Sequence, residues 1–177
     1  MQKEFEGKNK QIGVLITNLG TPDSPTKKDL KKYLNQFLMD KRVVDISRLL
    51  WVPLLKLIIL NVRPKKSAKL YKSIWTEDGS PLLAISKKIL DRLKDAFKKD
   101  RNIFFDLGMR YGNPSIDKAL KQFKDKGISK IIVLPLYPQA GSPTTSSTMD
   151  AVNKFLSKQS WTPNLRFISG YHDNDNY

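Results

Sequence analysis

Apolar residues recur along this chain in two rhythms. Four short blocks are apolar almost throughout: "QIGVLITNLG" (11–20), "IFFDLGMRYG" (103–112), "KIIVLPLYP" (130–138) and "LRFISGYHD" (165–173). Runs of this length, bounded by Gly, Pro and Asn, predict buried strands. Between them the apolar positions fall at helical spacing. Leu30, Tyr33, Leu34, Phe37 and Leu38 form one stripe, with Thr26 and Asp29 as a capping box ahead of it. Leu82, Ile85, Ile89, Leu93 and Phe97 form a second, entered through a Ser80 cap and Pro81 in the first turn. Ile116, Ala119, Leu120 and Phe123 form a third, entered at Asn113-Pro114 and stopped by Gly127. A fourth helix is expected over about 144–157.

Strands alternating with helices of crossover length predict parallel βαβ units. The fold class is therefore α/β, with a parallel sheet and helices on both faces. Residues 40–75 break the alternation with "RLLWVPLLKLIILNVRPKK". This segment suits a buried helix, an interfacial helix or a membrane span. Pro53 and Lys56 interrupt it, and it falls short of the about 20 apolar residues a span needs. It reads as one or two packed helices, part of whose apolar surface lines a pocket or touches a membrane.

Composition adds bounds. The chain has 177 residues, with 40% apolar and 28% charged, enough for one domain with its own core. It has no cysteine, which excludes disulfides and suits a reducing compartment. The first residues, with acids among the lysines, do not read as a signal peptide. The formal net charge of +15 fits either an anionic partner or a solvated lysine-rich surface. The lysines lie mainly on polar helix faces, which favours the second, and no arginine block with interleaved aromatics points to nucleic acid.

Parallel sheets gather ligands beyond the carboxyl ends of their strands. Here those ends read "NLGTP", "MRYGNP", "LYPQAGSPTT" and "YHDND". Each is an ordinary turn when taken singly; their convergence on one edge marks the candidate site. GxGxxG, a P-loop and GxSxG are all absent, which removes the commonest nucleotide and hydrolase readings. The single histidine, His172, stands beside Asp173 and Asp175. These residues fit a polar turn better than a metal-ligand set.

Four blocks occur in fixed order: "NLGTPDSPT…YLNQFLMDKRVVD", "RPKKSAKLYKSIWTEDGSPL", "MRYGNPSIDKAL" and "VLPLYPQ…PTTSS". From residue 11 to 177 the chain resembles the amino-terminal half of ferrochelatase, which inserts ferrous iron into protoporphyrin IX. The resemblance implies a Rossmann-like, chelatase-type three-layer lobe with a four-stranded parallel sheet. Residues 1–10 would be a basic tail and 40–75 a helical pocket lip.

By the same resemblance, Leu19, Leu34 and Phe37 would form apolar wall against the macrocycle. Arg63, Lys66 and Ser80 would sit near its propionates, and Tyr71, Arg110, Tyr111 and Tyr137 would line the cleft. A porphyrin is an apolar disc with two anionic arms, so such a wall with cations at one edge suits it. The substrates implied are Fe2+ and protoporphyrin IX, with no cofactor and no resident metal. The implied partners are the second lobe and, through 48–62, a membrane surface. The implied location is the cytoplasm, at a membrane periphery.

Two departures stand out. Ala140 and Gly141 replace an aromatic and a serine after "YPQ", and Asp175 replaces the proline of a "Y-x-D-x-P" region. The family's histidine, in "S-x-H-x-x-P", and its acidic partner would lie beyond Tyr177. The expectation is that the second lobe and the catalytic base are absent here and that this chain alone is inactive. The alternatives are a non-catalytic tetrapyrrole-binding or scaffolding module, or a half-sized chelatase that pairs with itself.

Overall fold

Strand β1 (Ile12–Thr21) feeds two cores at once, because successive side chains of a strand point to opposite faces. Leu15 packs with Ile131, Val133 and the buried face of a helix at Ile116–Asp125, whereas Ile16 and Val14 pack with Leu90, Leu107 and Met109. The computed structural model describes residues 11–177; the tail expected at 1–10 lies outside the described residues.

The other strands are β2 (Ile103–Gly112), β3 (Lys130–Pro135) and β4 (Asn164–Phe167). All four pair in parallel in the order β2-β1-β3-β4, with Ile12 opposite both Ile103 and Lys130. The chain leaves β1 toward one side and crosses back over it to reach β3. That reversal opens a crevice at the carboxyl ends of β1 and β3, where α/β sheets hold ligands.

The helices are α1 (Lys27–Leu38), α2 (Arg48–Leu54), α3 (Leu60–Ile74), α4 (Pro81–Ala96), α5 (Ile116–Asp125) and α6 (Ser147–Leu156). Helices α5 and α6 cover one face of the sheet; α4 covers the other. Helix α1 lies on that second face too, over the end of β2. The segment expected as one or two helices is a single helical run. α2 passes into α3 through a π-helical turn at Leu55–Ile59, and Leu60 N–H bonds Leu55 O, five residues back. The Asn61 amide donates to the carbonyls of Leu57 (2.8 Å) and Lys56 (3.3 Å), repairing the ladder where the π-turn displaces it.

Several local expectations change. The stripe of α4 is turned: Leu83, Ser86 and Leu90 face inward, while Ile85 is 57% exposed and Leu82 and Phe97 are exposed as well. The cause is polar. Ser86 Oγ accepts from Asn18 Nδ2 at 3.1 Å and donates to Leu82 O at 2.7 Å, so a serine occupies the middle of the inner face. Ser80 holds the N-cap position with Pro81 after it, but its hydroxyl makes no cap bond. The capping box of α1 forms on one side only. Thr26 Oγ1 accepts from Asp29 N, and the Asp29 carboxylate accepts from Ser24 instead. Strand β4 ends at Phe167, not 173: Phe167 pairs with Val133, Ile168 N–H still bonds Val133 O, and the chain then leaves the ladder two residues before β3 itself ends at Pro135. Beyond it the amides of Tyr171 and His172 both turn onto Pro138 O.

At the rim, Gly20 (φ +103°) lies opposite Tyr111 and Gly112 (φ +80°) opposite Thr21. A Cβ on Gly20 would stand 1.8 Å from Tyr111 O. Gly20→Ala is therefore expected to cost at least about 3 kcal/mol, from left-handed strain plus a backbone clash. A fall in the urea midpoint with an unchanged m-value is the expected reading.

Candidate functional site at the carboxyl edge of the sheet

Helix α1 turns Tyr33, Leu34 and Phe37 inward because their spacing puts them on one face. Tyr33 and Phe37 rings lie parallel with centroids 6.1 Å apart. Tyr111, at the end of β2, meets both edge-on, at 6.5 Å from Tyr33 and 5.3 Å from Phe37. Tyr71 of α3 meets Tyr33 at 6.4 Å, and Trp75 stands 6.4 Å beyond it. Leu19 packs against the same cluster from the end of β1. Trp51 closes the base, its Nε1–H donating to Leu38 O at 2.7 Å. The result is an aromatic wall of parallel, tilted and edge-to-face contacts, of which the edge-to-face ones are favourable beyond their area burial.

Beneath the wall is a polar knot. Asp40, just past α1, has a side chain only 8% exposed. Its Oδ2 accepts from Tyr111 OH (2.8 Å), from Ser147 Oγ (2.6 Å) and from Arg110 Nη2; its Oδ1 accepts from Arg42 N at 2.7 Å. Arg110 Nε also donates to Ser147 Oγ at 2.6 Å, and its guanidinium lies 4.5 Å from the Tyr111 ring centroid. Burial alone would push the Asp40 carboxyl up. The bonds from Ser147, Tyr111, Arg42 N–H and Arg110 outweigh burial and hold it below the usual carboxylate range. Burial raises the Tyr111 phenol to about 12, and it raises Tyr33 and Tyr137 as well. The phenols are neutral donors at ordinary pH.

The site residues expected from sequence fall into three groups. Leu19, Leu34, Phe37, Tyr71 and Tyr111 come together in the wall. Arg63 and Lys66 are exposed on the same helix as Tyr71, and Ser80 is buried at the start of α4. Tyr137, after β3, buries its hydroxyl with no partner meeting hydrogen-bond geometry, beside the equally unpartnered Thr148 hydroxyl.

Arg110 meets the wall through Tyr111. Strand alternation starts the side chain on the other face from Tyr111, but its guanidinium comes back over the Tyr111 ring and is held by Asp40 and Ser147. There it lines a groove of about 490 Å³ with Gln36, Asp117, Asp150 and Lys154. His172 is exposed in the turn after β4, and among the described residues no three His, Asp or Glu side chains gather to hold a metal.

Sequence reasoning missed the site roles of Tyr33, Asp40 and Ser147. Tyr33 counted only as a stripe residue, and Ser147 fell inside the helix expected over about 144–157. Asp40 carried a signal: a carboxylate next to a helix carboxyl end opposes the dipole, so its place there asks for a compensating cation.

Replacing Asp40 leaves the half-buried Arg110 without its counter-charge. Asp40→Asn is expected to lower unfolding free energy by about 3 kcal/mol at neutral pH. The folded pKa of Asp40 is depressed, so its stabilisation is complete above the ordinary carboxylate range and is lost as pH falls through the folded value. Urea midpoints measured from neutral pH down to about 3 should fall for the parent chain and converge on those of Asp40→Asn.

The comparisons bear on the whole described region. The ferrochelatase family model matches residues 11–177. A ferrochelatase of Idiomarina loihiensis is 49% identical over 169 residues, covering 94% of this chain and 46% of the relative. Ferrochelatases of Shewanella denitrificans (50% over 177 residues, 96% and 52%) and Hydrogenovibrio crunogenus (51% over 180 residues, 97% and 47%) align in the same way. This chain thus spans about half the length of the curated relatives it matches. With the four-stranded parallel sheet and a family match over essentially every described residue, the chain belongs to the ferrochelatase family.

Proposed function

We propose that this chain supplies one wall of the porphyrin site of a ferrochelatase, which inserts Fe2+ into protoporphyrin IX. The observation that carries the reading is the aromatic wall of Tyr33, Phe37, Tyr71 and Tyr111, backed by Leu19 and Leu34, with Arg63 and Lys66 on the adjoining helix. The wall receives a flat apolar disc, and the two cations meet its carboxylates at the edge. We assign Tyr137, close enough to act on the Tyr33 phenol, to the same pocket, and Ser80 by the family resemblance. Arg110 acts one layer behind, positioning Tyr111 through Asp40.

The opposite face of the disc is covered by a second lobe, as the twofold greater length of the relatives suggests. Among the described residues no helix is long and apolar enough to cross a membrane. We place peripheral membrane contact at 48–62, where Leu49, Leu50, Leu57 and Ile58 are exposed.

Metallation requires removal of two pyrrole N–H protons, for which a positioned base is the usual means. The one imidazole of this sequence, His172, stands in an exposed turn. Zinc insertion by the 177-residue chain is therefore expected at background; turnover above background would place a base within it.

Binding is the direct test. Titration with protoporphyrin IX should give a saturable Soret shift. Phe37→Ala and Tyr71→Ala should each weaken it about tenfold through lost ring contact. Arg63→Gln with Lys66→Gln should weaken it about fivefold, a typical yield for exposed pairs, while leaving the dimethyl ester unaffected. Absence of saturable binding, or equal affinity for acid and ester in the parent chain, would refute the assignment.

A further inference from the structure

Helix α1 and the π-turn between α2 and α3 enclose a groove of about 480 Å³ lined by Lys28, Lys31, Lys32, Asn35, Lys56 and Leu60. Lys32 is paired with Asp23 at 2.8 Å, but among the described residues no ion pair reaches Lys28, Lys31 or Lys56. A side chain locks this groove to the apolar stripe beside it. Asn61 Oδ1 accepts from Lys31 Nζ at 3.0 Å, and Asn61 Nδ2 donates to the carbonyls of Lys56 and Leu57.

The stripe faces away from the core. Leu50, Leu54, Leu57 and Ile58 fall at i, i+4, i+7 and i+8, with Leu49 and Val62 beside them. Leu49 is 87% and Leu57 72% exposed. The helix is thus apolar on two sides: Trp51, Leu55 and Leu60 inward, these residues outward.

We propose that the lysine groove is a site for the phosphate headgroups of anionic lipids, seating this face on an acidic bilayer with the stripe at the acyl boundary. The inference rests on the peripheral membrane contact proposed above and names the lipid class it selects. Two requirements must be met together, apolar contact for the stripe and negative charge for the lysines. An anionic interface supplies both at the same depth, and lysine stems reach across the boundary to the phosphates. A second copy of the chain does not. A two-fold contact through this patch would set the lysine row near its own image.

The test uses the purified chain and flotation with vesicles of phosphatidylcholine alone or with about a third phosphatidylglycerol, at physiological salt. Binding should be far tighter to the anionic vesicles. K28Q/K31Q/K56Q should lose about fivefold per charge, on the order of 100-fold in all. K87Q/K94Q/K98Q, with the same change in net charge on α4 and the loop after it, should lose much less. Equal losses in the two triple variants would reduce the effect to bulk charge and overturn the headgroup site. So would equal binding of the parent to both vesicle types.

If K28Q/K31Q/K56Q binds like the parent while L57Q/I58Q does not, the membrane contact stands and the headgroup site falls. If the parent floats with neither vesicle, the contact itself fails with it. Inorganic phosphate, added at constant ionic strength, should not displace the chain; displacement would assign the groove to free phosphate. Light scattering should show a monomer without lipid. A dimer abolished by L57Q/I58Q would assign the stripe to a second copy.

Discussion

The Asp40 carboxylate is the constraint on which this lobe's carboxyl edge depends. One oxygen accepts from the ends of two elements distant in sequence: Arg110 and Tyr111 at the close of β2, and Ser147 at the start of α6. The other oxygen holds the backbone of its own loop at Arg42. A half-buried guanidinium and a buried phenol would each be costly without that acceptor. With it, the phenol of Tyr111 is fixed below while its ring stands edge-on to Tyr33 and Phe37 above. The polar knot and the aromatic wall are thus joined through one residue.

That joint ties together a wall made from four separate elements. Tyr111 comes from β2, Tyr33 and Phe37 from α1, Tyr71 from α3 and Leu19 from β1. Their backbones are held by the Trp51–Leu38 bond and by the close approach of Gly20 to Tyr111. Pre-set aromatic surfaces bind planar ligands with little ordering cost. One wall offers contact and orientation, whereas proton abstraction from a ring nitrogen needs a base at the macrocycle.

The helical run from 48 to 74 serves two surfaces. Its inward residues complete the aromatic cluster, and its outward residues stay uncovered. The π-turn and Asn61 let one run carry Lys56 toward the α1 lysines while keeping Leu57 and Ile58 outward. The same feature that made the segment ambiguous in sequence, apolar residues all round, is its structural purpose.

Much was legible in one dimension because its causes are local. Strand blocks, the α1 and α5 stripes, the Asn113-Pro114 entry to α5 and the α/β order follow from side-chain periodicity and neighbouring turns. Leu19, Leu34, Phe37, Tyr71 and Tyr111 were named through family motifs, and the fold brings them together. What sequence did not yield depends on partners far along the chain. The inward face of α4 is chosen by the bond between Asn18 and Ser86, and β4 leaves the ladder at Phe167, where the chain turns to put the amides of Tyr171 and His172 on Pro138 O. Arg110 is held against the Tyr111 ring by Asp40, seventy positions earlier. Periodicity fixes which residues can share a face; only the packed chain decides which buried charge meets which, because that pairing is settled by distance in space.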